Sequence, residues 1–174
     1  MILRRYLEVS ANSGDLEAVA DSMLAKPGCL DAHHTSREAL LVDLRRYLSD
    51  PGLYLGAFTR GQGDEFFTRC QPFVPGREAL VHLVGRAGQH FNDDEMVEGV
   101  GVLAEAFFTG YEIHRLTFPV IDIPGYPLRD RTERIFRRAG LRPEGVLREA
   151  AYPPGADRPC DLVLWGLLRS DRRA

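Results

Sequence analysis

Two periods of apolar residues alternate along the chain. Ala79 to Arg86 reads Ala-Leu-Val-His-Leu-Val-Gly-Arg, an apolar run of strand length. Beyond it, Val97, Val100, Ala104, Phe107, Phe108 and Tyr111 recur at threes and fours, which predicts a helix from about Val97 to Thr109. Between the two lies Asn92-Asp93-Asp94-Glu95, a sharp helix-start signal. A strand feeding a helix through a short loop is a common place for an α/β protein to hold an anionic cofactor.

The same patterns order the rest. Leu3 to Val9 is a first strand, and Ser13 or Asp15 caps a helix to about Ala25, with Leu16, Val19, Ala20, Met23 and Leu24 on one face. Thr35-Ser-Arg-Glu38 is a capping box before a second helix, whose buried stripe is Leu40, Leu41, Leu44, Tyr47 and Leu48. Strands follow at Leu53–Thr59 and Glu65–Gln71 around the turn Gly61–Asp64, and Pro72 to Gly76 breaks the pattern before Ala79. The run His114–Asp122 is the next strand, and Pro119 within it marks a bulge or an unpaired edge, because proline cannot donate a ladder bond. A helix from Asp130 or Arg131 to Ala139 is closed by Gly140. Val146–Tyr152 and Leu162–Leu168 form a final strand pair, the second apolar throughout and so expected to be buried on both faces.

At 174 residues, 44% of them hydrophobic, the chain is expected to be a single domain, 1–174, with a substantial core. There is no apolar run of membrane-spanning length, and Met1-Ile-Leu-Arg-Arg5 is charged too early for a signal peptide. The three cysteines, Cys29, Cys70 and Cys160, lack zinc-knuckle spacing, so the reading is a cytoplasmic protein with reduced thiols. A net charge of −3 gives no general attraction to nucleic acid or membrane. His33 and His34 beside Asp31 do not share a face and lack an evident third ligand, so solvated surface is expected rather than a metal site.

The element order is one strand, two helices, three strands, helix, strand, helix, two strands. Within it, Arg134-Ile-Phe-Arg-Arg-Ala-Gly-Leu-Arg-Pro-Glu-Gly145, Leu147-Arg-Glu149 and Asp161-Leu-Val-Leu-Trp-Gly-Leu-Leu-Arg169, together with Phe108, Glu112, His114 and Arg115, resemble the GNAT superfamily. The nearest branch is the one acetylating ribosomal-protein N-termini and small amines. The resemblance implies an α/β (α+β) fold: a mixed, mostly antiparallel sheet of about seven strands splayed between strands 4 and 5, with about four helices. It implies acetyl-CoA or another acyl-CoA in that opening, and an N-acyl transfer to an amine of a small molecule or protein N-terminus.

Carried onto this chain, the resemblance places the pantetheine arm along Val84, Gly85 and Arg86. The pyrophosphate falls near Asn92, Asp93 and Met96, and further cofactor contacts fall at Arg129 and Thr132. It places a thiolate-protonating tyrosine at Tyr126. His82 shares a strand face with Leu80, Val84 and Arg86 and is the candidate base.

The family's glycine-rich pyrophosphate loop is replaced here by Phe91-Asn-Asp-Asp-Glu-Met96. Carboxylates in a first turn stabilise the helix by about 0.3–1 kcal/mol each. Each also repels a phosphate roughly 6 Å away by about 3 kcal/mol at an effective dielectric near 20. Hard oxygen donors at these positions also suit Mg²⁺ or Ca²⁺, although a well-capped helix is the simpler expectation. Arg129, Arg131, Arg134, Arg137 and Arg138 make the next helix strongly basic, either a solvated face or a patch for a CoA 3′-phosphate, a carrier-bound phosphopantetheine or an acidic partner. The alternative to acyl transfer is therefore a protein of the same fold that binds or transforms another ligand, or a non-catalytic partner-binding module. Phe66, Phe67 and Phe73 suit either a homodimer face or the core.

Overall fold

A computed structural model describes residues 2–5, 16–17, 20–21, 36–60, 64–85, 91–123, 128–152 and 157–172. The strands are β1 (Ile2–Arg5), β2 (Tyr54–Arg60), β3 (Asp64–Val74), β4 (Glu78–Gly85), β5 (Arg115–Asp122), β6 (Arg142–Ala151) and β7 (Cys160–Leu168). They form one 7-stranded sheet in the order β1-β2-β3-β4-β5-β7-β6. Every neighbouring pair is antiparallel except β4 and β5. The helices are α1 (Arg37–Arg46), α2 (Asp93–Glu105), continued by a π-helical turn at Ala106–Gly110, and α3 (Leu128–Arg138). Leu16, Glu17, Ala20 and Asp21 are helical and belong to the first expected helix, the rest of which lies outside the described residues, as do His33 and His34.

The sheet separates two apolar layers. On one face, Tyr54, Phe58, Cys70, Phe73, Ala79, Val81, Leu116, Phe118, Trp165 and Leu167 meet Val100, Leu103 and Ala104 of α2 and Ile135 and Phe136 of α3. Tyr54, Phe73, Phe107 and Tyr111 pack edge to face or tilted, with centroids 4.8–5.7 Å apart. On the other face, Leu53 and Leu55 meet Leu40, Leu41 and Leu44 of α1, with Tyr47, Leu16 and Ala20. Phe73 is thus a core residue; the side chains of Phe66 and Phe67 lie outside the described set.

Four expectations change. First, α1 is capped by Ser36, whose hydroxyl accepts from Ala39 N at 3.1 Å, while Thr35 lies outside the described residues. Second, β3 does not stop at Pro72: it runs to Val74, and a register shift between Cys70 and Phe73 accommodates the residue that cannot donate. Third, α2 begins at Asp93, four residues before its apolar stripe, because Asn92 and Glu95 form a reciprocal capping box. Fourth, β7 is not buried on both faces. Trp165 and Leu167 are covered by α3 and the core, whereas Leu162 and Leu164 are only half-buried and Leu168 is exposed. An apolar run therefore followed from a sheet half covered on one side only.

Gly140 ends α3 with φ +86°, where a side chain would be strained, and Leu141 N donates to Phe136 O at 2.9 Å. No helix among the described residues is long and apolar enough to cross a membrane.

Candidate functional site

β4 and β5 pair only at Glu78↔Arg115, Ala79↔Leu116 and Leu80↔Thr117. Beyond that they diverge. β4 continues on β3 as far as Gly85, and β5 continues on β7 as far as Asp122. Val81–Gly85 and Phe118–Asp122 therefore each carry one strand edge that faces an opening in the sheet. Pro119 lies in this stretch, in register with Leu164, so the missing N–H falls in a strand with an unpaired side. α2 follows β4 and α3 follows β5, so both helices start at the open end, outside the carboxyl ends of two parallel strands. Crevices of that kind hold ligands in α/β sheets.

His82 sits on the β4 edge of the opening. Val81 points into the main core, so His82 points to the face covered by α1. Its cross-strand partner is Arg69. Arg69 is 1% exposed, with Nη1 4.0 Å from Asp43 Oδ2 of α1. Close by in sequence, Tyr47 Oη donates to Gln71 Oε1 at 2.9 Å. Sequence reasoning did not single out Arg69 or Asp43. The signal was a lone arginine between Thr68 and Cys70 in a strand, but only the sheet register places it against His82. Burial pushes the Cys70 thiol well above its usual range, which makes it inert.

At the start of α2, Glu95 N donates to Asn92 Oδ1 and Asn92 N donates to Glu95 Oε2, both at 2.9 Å. Met96 N donates to Asn92 O, and the Met96 side chain packs against the core. Three amides of the expected phosphate loop are thus already taken by the helix's own start. Asp93 faces α3 instead: its Oδ1 accepts from Arg131 Nε at 2.8 Å and its Oδ2 from Arg134 Nε at 3.0 Å. Arg131 also donates to the Phe91 carbonyl, and Arg138 pairs with Asp94. The guanidinium groups of Arg131 and Arg134 hold the Asp93 carboxyl below the usual carboxylate range. The sequence implied uncompensated acid at this point; the fold instead brings three arginines against it. The clustered oxygens are used in caps and ion pairs, and no group of three or more metal-ligating residues occurs among the described residues.

Thr132 lies on α3 and lines a small pocket of about 50 Å³ with Val120, Asp122, Glu133, Val163 and Trp165. Arg137 pairs with Glu133 at 2.7 Å and stands over the Trp165 ring, 5.4 Å from its centroid. Of the other expected site residues, Val84 and Gly85 occupy the open end of β4, and Arg129 the first turn of α3, their side chains outside the described set. Arg86 and Tyr126 lie outside the described residues altogether. His114 is exposed just before β5, at the paired end and away from the opening.

No protein-family model and no curated protein matches the sequence. Solved structures do match. A Vibrio cholerae spermidine N-acetyltransferase in complex with CoA and spermine superposes with a TM-score of 0.73 at 16% identity, over 99% of this chain and 97% of that one. A chimera of the Vibrio cholerae enzyme with hSSAT gives a TM-score of 0.77 at 15% identity over 100% of both chains. The Vibrio cholerae enzyme in complex with manganese ions gives 0.73 at 16% identity, over 98% and 94%. The chain has the GNAT fold. The divergence of β4 from β5 stands where the family resemblance implied a splay between strands 4 and 5.

Proposed function

We propose that this GNAT-fold protein transfers an acyl group from an acyl-CoA to an amine. The observation that carries the reading is the separation of β4 from β5 after Leu80 and Thr117, which opens the sheet at the start of two helices. The Val81–Gly85 edge suits the amide-bearing pantetheine arm, which would add to it as a strand does. Support comes from the spermidine N-acetyltransferase of the same fold solved with CoA and spermine.

In this reading the bound acyl-CoA supplies an activated acyl group. Val84, Gly85 and Arg86 hold the arm, Arg129 and Thr132 stand beside it at α3, and Asn92, Asp93 and Met96 flank the diphosphate. His82, on the α1 face of the open edge, removes a proton from the acceptor amine, directly or through one water. Buried Arg69 and half-buried Asp43 fix the strand and helix around it. Tyr126 returns a proton to the departing sulfur. The amine nitrogen gains the acyl carbon as the carbon–sulfur bond breaks, so the proton lost at nitrogen balances the one gained at sulfur.

Calorimetry with acetyl-CoA and a transfer assay over a panel of small amines and N-terminal peptides test the proposal. Saturable binding and thiol release are expected. His82→Gln should lower kcat by roughly 10²–10⁴-fold with little change in acetyl-CoA binding. Absence of heat and of thermal shift at millimolar acetyl-CoA would reject it. The use of the Asn92, Glu95 and Met96 amides in the start of α2 itself favours a second reading, in which the same opening holds a different, less anionic ligand. Saturable binding of an uncharged or cationic compound, without CoA binding, would select that one.

A further inference from the structure

Asp93 and Arg131 belong to the two helices that flank the opening, and their ion pair crosses its mouth at 2.8 Å. Arg134 reaches the second oxygen of the same carboxylate at 3.0 Å, and Arg138 engages Asp94. Asn92 and Glu95 cap α2 without help from either aspartate. The aspartates are therefore not needed to start the helix, and the arginines stand on α3 beside the open end of the sheet, where a phosphate entering the opening would meet them.

We propose that Asp93 and Asp94 form an autoinhibitory clasp. Their carboxylates occupy the guanidinium groups of Arg131, Arg134 and Arg138, so that a diphosphate-bearing ligand must displace them before using those arginines. The clasp rests on the proposed function for its natural ligand, acyl-CoA, but its chemistry is that of any diphosphate. It makes binding an exchange of anions on a fixed set of arginines. Arginine suits such an exchange, because its planar fork matches a carboxylate and a phosphate equally well.

Direct repulsion by the aspartates is the competing account, and a mutant cycle separates the two. Acetyl-CoA and, separately, inorganic pyrophosphate are titrated by calorimetry into four full-length proteins: the natural chain, Asp93→Asn/Asp94→Asn, Arg131→Gln/Arg134→Gln, and the combination of all four. Circular dichroism and thermal melting accompany each, and Arg131→Lys/Arg134→Lys provides a charge-preserving variant should the glutamine pair unfold. A clasp of exposed ion pairs predicts that the asparagine variant binds both anions roughly three- to tenfold more tightly. It also predicts that this gain vanishes once the arginine forks are removed. A gain that persists or grows without the arginines would overturn the clasp, as would no gain at all. Tighter pyrophosphate binding with no acetyl-CoA binding in any variant would retain the clasp and reject the cofactor. Equal acetyl-CoA binding throughout would do the reverse, and failure of both anions to bind any variant at millimolar concentration would reject both.

Discussion

Single side chains hold the C-terminal half of the sheet in ways the surrounding sequence does not advertise. Glu144 of β6 crosses over β7 to pair with Arg115 of β5, and it passes where a side chain at position 166 would stand. Gly166 is what allows the crossing. Gly166→Ala should push Glu144 aside. The Arg115–Glu144 coupling in a double-mutant cycle, expected to be about 0.2–1 kcal/mol, should then fall to zero. In the main core, Phe107 is fully buried and packs its ring against Tyr54, Phe73 and Tyr111. Phe107→Ala should destabilise by about 3–5 kcal/mol, read as a shift in denaturant midpoint. Phe107 was legible as a core position from its helical spacing. Gly166 was not, because the strand that crosses it lies some twenty positions earlier in the chain.

Elements show how local signals set boundaries. α2 starts where Asn92 and Glu95 cap it, not where its apolar stripe begins, since the first turn needs partners for its amides whatever its side chains bury. Asn92→Ala should cost about 1 kcal/mol in chemical unfolding. α3 reads as a highly charged helix with one apolar edge, and Ile135 and Phe136 are buried as that pattern implies. The destination of its arginines was not readable, because the partners Asp93 and Asp94 lie some forty positions earlier. The Asp93 carboxyl is held below its ordinary value by Arg131 and Arg134, so its pairing stabilises the fold above the unfolded pKa, about 4. That contribution should be lost as pH falls from there through the folded value. Thermal melts from pH 5 down to pH 2 should show a shallower acid decline for Asp93→Asn than for the natural chain.

On the scale of the molecule, the consequence of the fold is a sheet with a gap. Amides of Val81–Gly85 and Phe118–Asp122 that face the opening should exchange with deuterium quickly, while those pairing Glu78–Leu80 with Arg115–Thr117 should be protected. Uniform protection across both strands would contradict the divergence; added acetyl-CoA should slow the exposed set if the proposed function holds. What the sequence by itself determined is the inventory: seven runs of strand length, helices of the right period between them, a proline where β5 loses a neighbour, and the cap that starts α2. Each of these rests on residues close together in the chain, where dihedral preference, capping and periodicity act. The family resemblance already implied a sheet splayed between strands 4 and 5; only the tertiary structure decided that β4 and β5 part after Leu80 and Thr117, that Arg69 is buried beside His82, and that the acid of one helix meets the arginine of another. Those depend on register and on contacts between distant segments, and the burial and charge pairing they create are properties of the packed whole.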